Sequence, residues 1–458
     1  MERSLCGGDQ EDEVKAAIPG ALAGVLTLSM AAWADDRPAD PTELAQAADG
    51  AGAESTPTEP EEASSKDSAS ENRRNEGLLY LDNVTIYATR TPKQVLDVPA
   101  NVTVITGERI ERQMITDMQE LMRYEPGIDV NRQTTSTDPF NTFGGFTIRG
   151  VGGNRVQMVI DGSRVPERIS DGTRDYLDFD FIDQAEIVRG PGSVLWGSDA
   201  LGGIVALETL DPESVLEPGS NFNGRISSSY DSFNNGLDNA LTLAMRPNRK
   251  IELLAGISYD VAEEGELSKA HADGGIYGCP RNLSSGATPC NKLDPTEETS
   301  LRLLGKAVIR PFEGHRFELS ADYLERKTDV DFKQVLGPVY DTLGAPTGAI
   351  ISGYDRQLDR DRQRYALEHQ WEVGSSFLDR LEWTLAYAPQ GYERSGSERR
   401  TNPAGEREIE NDLLRFSEDF VELDIQATSS FTLFGAGNVL TYGFDGDYAK
   451  TTTSVRTG

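Results

Sequence analysis

In a series of segments spread over residues 220–458, successive residues alternate between apolar and polar. Ile251, Leu253, Ala255, Ile257 and Tyr259 fall on one face of an extended chain, with Glu252, Ser258 and Asp260 on the other. Phe317, Leu319, Ala321 and Tyr323 oppose Glu318, Ser320 and Asp322, and Leu381, Trp383, Leu385 and Tyr387 oppose Glu382 and Thr384. Val421, Leu423, Ile425 and Ala427 oppose Glu422, Asp424 and Gln426; Leu440, Tyr442 and Phe444 oppose Thr441, Asp445 and Asp447. Side chains of a strand alternate between its two sides, so each segment reads as a strand with one apolar and one polar face. Turn residues predict short connections at Pro247–Arg249, Pro311–Gly314, Gly374–Leu378 and Gly435–Asn438, with long ones between them at 263–297, 329–361 and 393–411. A soluble sandwich or solenoid has no reason to alternate connection length in this way. A membrane barrel, apolar outside and polar inside, with short turns at one rim and long loops at the other, does.

Composition agrees with that reading. Outside the first 34 positions no run of 18 uncharged apolar residues occurs, which argues against membrane-spanning helices; a barrel averages out as polar, and the mean hydropathy here is negative. A net charge of −32 excludes a nucleic-acid backbone as the main partner. The 45 glycines suit turns and bulges better than a helix bundle.

Ala16 to Ala34 is apolar and small-residue-rich and ends Ala32-Trp33-Ala34, an A-x-A cleavage pattern, so residues 1–34 are expected to be a signal peptide. The residues before it are acidic where a basic stretch is usual, which a misplaced start codon would explain. Residues 35–77 are Asp, Glu, Ala, Ser, Pro and Thr with almost no large apolar side chain and are expected to form a disordered acidic tether.

Residues 78–215 read as an α+β domain punctuated by glycine. Val84–Tyr87 and Val102–Ile105 are β-type runs; Thr106 starts a helix with Glu108 to Gln113, and Thr116 with Gln119 fits a capping box for the next. Glu125-Pro126-Gly127 ends that helix. Strand-like runs follow at Phe146–Arg149, Val156–Ile160, Ala185–Arg189 and Ile204–Leu210. The ordered series is Tyr124-Glu125-Pro126-Gly127, Phe146-Thr147-Ile148-Arg149-Gly150, Asn154-Arg155-Val156, Ile160-Asp161-Gly162, Ala185-Glu186-Ile187-Val188-Arg189-Gly190-Pro191 and Trp196-Gly197-Ser198-Asp199-Ala200-Leu201-Gly202-Gly203. Each piece alone is weak. Together, and in this order, they resemble the plug domain of TonB-dependent outer-membrane receptors, and the wording Arg149-Gly150 through Val156 resembles the haem and haemoglobin subgroup.

The resemblance implies a fold: an α+β plug domain followed by antiparallel transmembrane β-barrel strands. About nine strands are legible at 220–458, where plugged transporters have about 22, so the chain is expected to be the N-terminal portion of a longer protein. It also implies a TonB box at Asp82, Asn83, Val84, Thr85, Ile86, Tyr87 and Ala88, an extended segment to which the partner TonB adds as a strand; an ordinary first strand is the plain alternative. Arg149-Gly150, Asp161-Gly162 and Arg189-Gly190-Pro191 are the plug motifs, structural or gating. Arg149 and Arg189 are expected to hold plug loops against acidic groups on the barrel wall.

Cys279 and Cys290 lie in the first long loop, where an oxidising exterior makes a disulfide the default; a metal pair is the alternative, with no nearby residue set to support it. His315 is expected to be solvated at the short-turn rim, and His369 to point outward with Tyr365, Leu367 and Trp371. His271, in the long loop, is the one histidine placed to meet a ligand. No G-x-S-x-G, P-loop or H-E-x-x-H is present, so neither an enzyme nor a metal site is expected. The expected function is TonB-dependent import of an iron-bearing ligand, haem or haem from haemoglobin, across the outer membrane of a Gram-negative cell. Haem would be cargo rather than cofactor, outer-membrane lipid would surround the wall, and nucleic acid would play no part. A ferric siderophore, transferrin-type iron or cobalamin is the alternative cargo, and a soluble periplasmic or surface binding protein the alternative class.

Overall fold

The computed structural model describes residues 84–85, 93–94, 98, 100–130, 146–152, 155–165, 178–196, 200–265, 294–375, 377–433 and 436–458. The expected signal peptide and tether, Asp82, Asn83, Ile86, Tyr87, Ala88, His271, Cys279 and Cys290 lie outside these residues.

The N-terminal elements run β1 (Val84–Thr85), β2 (Lys93–Gln94), β3 (Asn101–Thr106), α1 (Gly107–Gln113), α2 (Met118–Met122), β4 (Ile128–Asp129), β5 (Thr147–Ile148), β6 (Val151–Gly152), β7 (Val156–Ile160), β8 (Ser163–Arg164), β9 (Ile182–Arg189), α3 (Ser193–Trp196), β10 (Gly203–Thr209) and α4 (Pro212–Val215). Five of the strands form a mixed sheet in the order β3-β9-β10-β7-β8, with β10 parallel to β7 and the rest antiparallel. β1 pairs with β2, and β4, β5 and β6 make a small separate sheet. Both faces of the mixed sheet are covered. Ile110, Met118 and Leu121 from α1 and α2 pack with Ile105, Met158, Ile187, Val205 and Leu207 on one side. Val159, Val188, Trp196, Ile204 and Ala206 fill the other. A sheet buried twice over needs near-continuous apolar strands, which is why β7, β9 and β10 lack clean alternation.

α1 starts where the sequence predicts, with Thr106 Oγ1 accepting from Arg109 N. The start of α2 is corrected by one residue. Asp117, not Thr116, is the N-cap and accepts from Glu120 N at 2.7 Å; the Glu120 carboxylate in turn accepts from Thr116 N and Oγ1. Either residue is a competent cap, and burial of Met118, Leu121 and Met122 selects the register that turns those side chains into the core.

The wall is an antiparallel meander: β11 (Phe222–Asp231), β12 (Gly236–Asn248), β13 (Ile251–Glu263), β14 (Thr296–Ile309), β15 (His315–Asp331), β16 (Gly337–Tyr340), β17 (Pro346–Glu372), β18 (Arg380–Tyr387), β19 (Gln390–Thr401), β20 (Arg407–Leu433) and β21 (Ala436–Thr457). β18 and β19 are halves of one crossing, since both pair with β17 and with β20. The break between them falls at Pro389, whose nitrogen has no hydrogen to give a neighbour. β16 is a short strand against the loop end of β17. The strand faces follow the sequence: Ile257, Tyr259, Leu319, Tyr365 and Leu385 are exposed on one side, whereas Glu252, Ser258, Glu318, Ser320, Asp322, Arg364 and Glu422 are buried on the other, toward the N-terminal domain. Apolar outside and polar inside is the inverse of a soluble core and the arrangement of a wall in lipid. No helix among the described residues is long and apolar enough to cross a membrane.

Two expected loops are corrected. Most of 329–361 and 393–411 is strand: β17 pairs with β15 down to Asp355–Asp331, and β19 pairs with β20 through Thr401–Arg407. These arms carry only scattered apolar residues, such as Leu358 and Tyr354 packed with Val330 and Phe332, and so show no clean alternation, yet their backbone ladder continues with one register shift between Ile351 and Gly353. The connection lengths therefore alternate less than expected, with 232–235 and 402–406 as short as the turns at the opposite rim.

Candidate functional site

β7 and β8 are joined by the two-residue turn Asp161-Gly162, with positive φ at both positions (45° and 75°). This is the hairpin turn that an Asp-Gly pair favours, and it presents the Asp161 carboxylate on the side of the domain facing the wall. Asp161 Oδ1 accepts from Thr209 N at 2.8 Å and Oδ2 from Thr209 Oγ1 at 2.7 Å.

Two wall cations close on this turn. Arg364 of β17, fully buried, donates to Asp161 O at 3.1 Å, Ser163 Oγ at 3.0 Å and Ser320 Oγ at 3.0 Å, and its Nη1 lies 3.8 Å from the Asp161 carboxylate. Lys306 of β14 donates to Thr209 O at 3.2 Å and sits 3.6 Å from Asp161, 3.3 Å from Asp211 and 3.3 Å from Glu318. Arg316 joins Asp211 (2.9 Å) to Glu318 (2.6 Å), and Arg310 joins Glu213 (2.6 Å) to Glu252 (2.6 Å). Farther round the wall, Arg164 N donates to Glu422 at 3.1 Å. Burial would raise the Asp161 carboxyl, but the Lys306 and Arg364 charges and the Thr209 bonds outweigh it and hold the group below the ordinary carboxylate range. Nearby Glu208 goes the other way: burial, then the charges of Glu186, Asp161 and Asp183, outweigh the opposing charge of Lys306 and push it up to about 8.

The clasp is bordered by an apolar seat in which Phe181 and Leu210 pack with Ala240, Leu254 and Leu304 of the wall. Gly256 makes room for the Phe181 ring, since a Cβ there would lie 2.8 Å from a ring carbon. Polar contacts outnumber this apolar patch. A buried ion pair adds little net stability against a hydrophobic replacement, yet losing one partner is costly. Such an interface fixes one docked arrangement while leaving it separable into two well-solvated surfaces.

Of the predicted site residues, Asp161 and Gly162 form the turn of this clasp. Arg189 does not reach the wall. It is buried inside the N-terminal domain, donating to Glu125 at 2.5 Å, Thr103 at 2.7 Å and Asn101 at 3.0 Å, and so ties β9 to β3 and to the end of α2. Arg149 is exposed with φ 51°, and its N–H donates to Gly127 O at 2.7 Å. The expectation that these arginines meet acidic groups on the wall is thus reversed in sign and place: the wall supplies the cations and the turn the acid. Gly150 continues the positive-φ bend, Gly190 donates to Gly202 O at 3.1 Å, and Pro191 follows at the exposed surface. Val84 and Thr85 pair with Gln94 and Lys93.

The sequence reading passed over Lys306, Arg316 and Arg364. A signal existed for Lys306, the one charge inside Leu303-Leu304-Gly305-Lys306-Ala307-Val308-Ile309, on the face opposite Leu303 and Ala307. His315 is half-buried at the short-turn rim. Its ring stacks on His369 and Trp371, and its Nδ1 lies 3.0 Å from His369 Nε2. Trp383 Nε1 donates to His369 Nδ1 at 2.9 Å, which leaves the His369 proton on Nε2 to bridge to His315. His369 lies on the expected outward face of β17 but is buried among these rings.

Residues 94–204 match the family model described as the TonB-dependent receptor plug domain. Hemoglobin and hemoglobin-haptoglobin-binding protein A of Haemophilus influenzae is 30% identical over 268 residues, 55% of this chain and 23% of that protein. A hemin receptor of Yersinia pestis is 33% identical over 150 residues, 32% of this chain and 21% of that protein. The chain thus aligns with less than a quarter of the length of either relative. Among solved structures, the ferripyoverdine receptor of the outer membrane of Pseudomonas aeruginosa superposes with a TM-score of 0.58 at 15% identity, over 82% of this chain and 46% of that one, a likeness of fold.

Proposed function

We propose that the chain is part of a TonB-dependent receptor and that it serves to import haem, free or taken from haemoglobin, across the outer membrane. The observation that carries the cargo is the identity to a haemoglobin-binding protein over 268 residues and to a hemin receptor over 150 residues. The work is transport rather than chemistry on the substrate.

In this reading residues 78–215 are the TonB box and plug, residues 220–458 are wall, and residues 1–34 and 35–77 are an export signal and a tether. Cargo binds at the loop end, where His271 is a candidate contact and a Cys279–Cys290 disulfide would brace the loop. Binding frees the segment Asp82–Ala88 into the periplasm, and TonB takes it up by strand addition. Pulling on that segment then opens the plug. The Asp161 clasp suits this step because its pairs exchange wall cations for water without exposing a large apolar surface.

A strain that depends on this gene for haem uptake tests the proposal. Growth under iron limitation with haem or haemoglobin as iron source, abolished by loss of TonB or by Val84→Pro, is the expected result. Failure of either source to support growth while a ferric siderophore succeeds would refute the haem reading and favour the siderophore alternative; transferrin-type iron and cobalamin are tested in the same way. Recovery of the protein wholly in the soluble periplasm would refute the membrane reading.

A further inference from the structure

Away from the clasp, toward the loop end of β12 and β13, carboxylates of the N-terminal domain and of the wall converge. Asp178 and Asp180, at the single turn Phe179–Phe181, and Asp238 of β12 each bring one oxygen within 4.8 Å of the others. Asp260 of β13 is the cross-strand partner of Asp238. Some of this oxygen is spoken for: Asp178 Oδ1 accepts from Asp180 N at 2.8 Å, and Asp180 accepts from the Ser227 hydroxyl. Burial raises the Asp180 carboxyl, the Ser227 bond opposing and the Asp178 charge adding to it.

Two of the carboxylate oxygens lack donors. Asp178, only 2% exposed, has no hydrogen-bond partner for Oδ2. The cation facing that oxygen, Arg302, stands 3.7 Å away and is engaged by Asp260. Asp260 Oδ1 and the buried Ser258 Oγ, on the same face of β13, have no partner either. Other cations nearby are committed elsewhere: Arg225 to Asp180 O and Glu111, Arg326 to Ser300 and Glu298. Buried carboxylate oxygens without donors are rare in native structures, and Asp178 Oδ2, on a residue that converges with Asp180 and Asp238, points to a cation as its partner.

We propose that Asp178, Asp180 and Asp238 bind one divalent cation of the calcium type, which ties the N-terminal domain to β12. The donors are all oxygen, with no imidazole or thiolate, which selects a hard cation. Calcium accepts the irregular geometry of carboxylates from two separate elements, whereas magnesium demands a near-ideal octahedron. Unlike the clasp at Asp161, this tie responds to its surroundings. Affinity in the range usual for extracellular modules, roughly 10⁻⁴–10⁻³ M, would make docking at this point depend on external calcium.

The test does not depend on the identity of the cargo. The chain, folded in detergent micelles and stripped with EDTA, is titrated with calcium by calorimetry, with Asp238→Asn and Asp180→Asn titrated alongside. Asparagine keeps the shape and one acceptor, and circular dichroism verifies the fold of each variant. The wild-type chain should take up one more calcium than either variant, or bind it at least tenfold more tightly. Calcium should also slow amide exchange at residues 178–182 in the wild type alone. Identical calcium titrations for the wild type and a folded variant would overturn the proposal, as would no uptake by the wild type at about 10 mM, well above the expected range.

Discussion

Replacing Arg364 by methionine isolates the contribution of the clasp to docking. Methionine fills most of the same volume, so the change removes charge and donors rather than opening a large cavity. Two donated bonds to the N-terminal domain disappear, at 3.1 Å to Asp161 O and 3.0 Å to Ser163 Oγ, together with the 3.8 Å ion pair to Asp161. Hydrogen bonds from a charged donor are each worth about 1.5–3 kcal/mol, so two give about 3–6 kcal/mol, close to the roughly 3–5 kcal/mol for breaking a buried pair. Asp161 keeps Lys306 at 3.6 Å and both Thr209 bonds, so the lower end, about 3 kcal/mol, is the appropriate figure. Opening of the β7–β8 hairpin from the wall should become roughly a hundredfold more frequent, since each ~1.4 kcal/mol is a factor of ten. Hydrogen exchange read by mass spectrometry on peptides covering 156–165 measures it, with β3–β9 peptides as the internal reference because Arg364 does not touch them. Equal protection of the hairpin in both proteins would refute the account. A uniform loss of protection across the N-terminal domain would show that Arg364 supports the whole domain rather than its docking.

Three further outcomes follow from particular contacts. Glu125→Ala, which leaves the buried Arg189 guanidinium without its carboxylate, should cost about 3–5 kcal/mol in urea unfolding, and adding Arg189→Met should restore most of it. Glu208 has its carboxyl raised from 4.5 to about 8, so the folded state holds a proton that the unfolded chain releases; stability should fall as pH rises from about 4.5 to about 8, and Glu208→Gln should flatten that slope in pH-dependent denaturation. Gly256→Val should displace the Phe181 ring and destabilise the seat by about 1–3 kcal/mol, seen as faster exchange at residues 179–182 with the wall strands unchanged.

Legibility of the fold depended on whether a signal was local. Alternation along β13, β15 and β18 fixes which side chains face out, because period-two geometry is a property of each strand alone. The Asp161-Gly162 turn was legible for the same reason: positive φ at two successive residues restricts the choice of side chain on the spot. The arms of β17, β19 and β20 beyond the apolar band were not, because a mostly polar strand without clean alternation looks like a loop until its partner is known. Thr116 and Asp117 are equally good caps, and only packing of Met118 and Leu121 chose between them.

The sequence by itself determined an apolar-out, polar-in wall, a glycine-punctuated α+β domain before it, and the plug-domain motifs whose family model residues 94–204 match. Tertiary structure alone decided which charges meet. Arg189 could equally have reached the wall; it turns inward because Glu125, 64 positions away in the chain, closes on it. Asp161 meets Arg364 across 203 positions and Lys306 across a different strand, and nothing local in any of the three specifies the others. The physical reason is that an ion pair is set by distance in space and by the water excluded around it. Both are properties of the assembled domain and wall, whereas a strand face or a turn is written in consecutive residues.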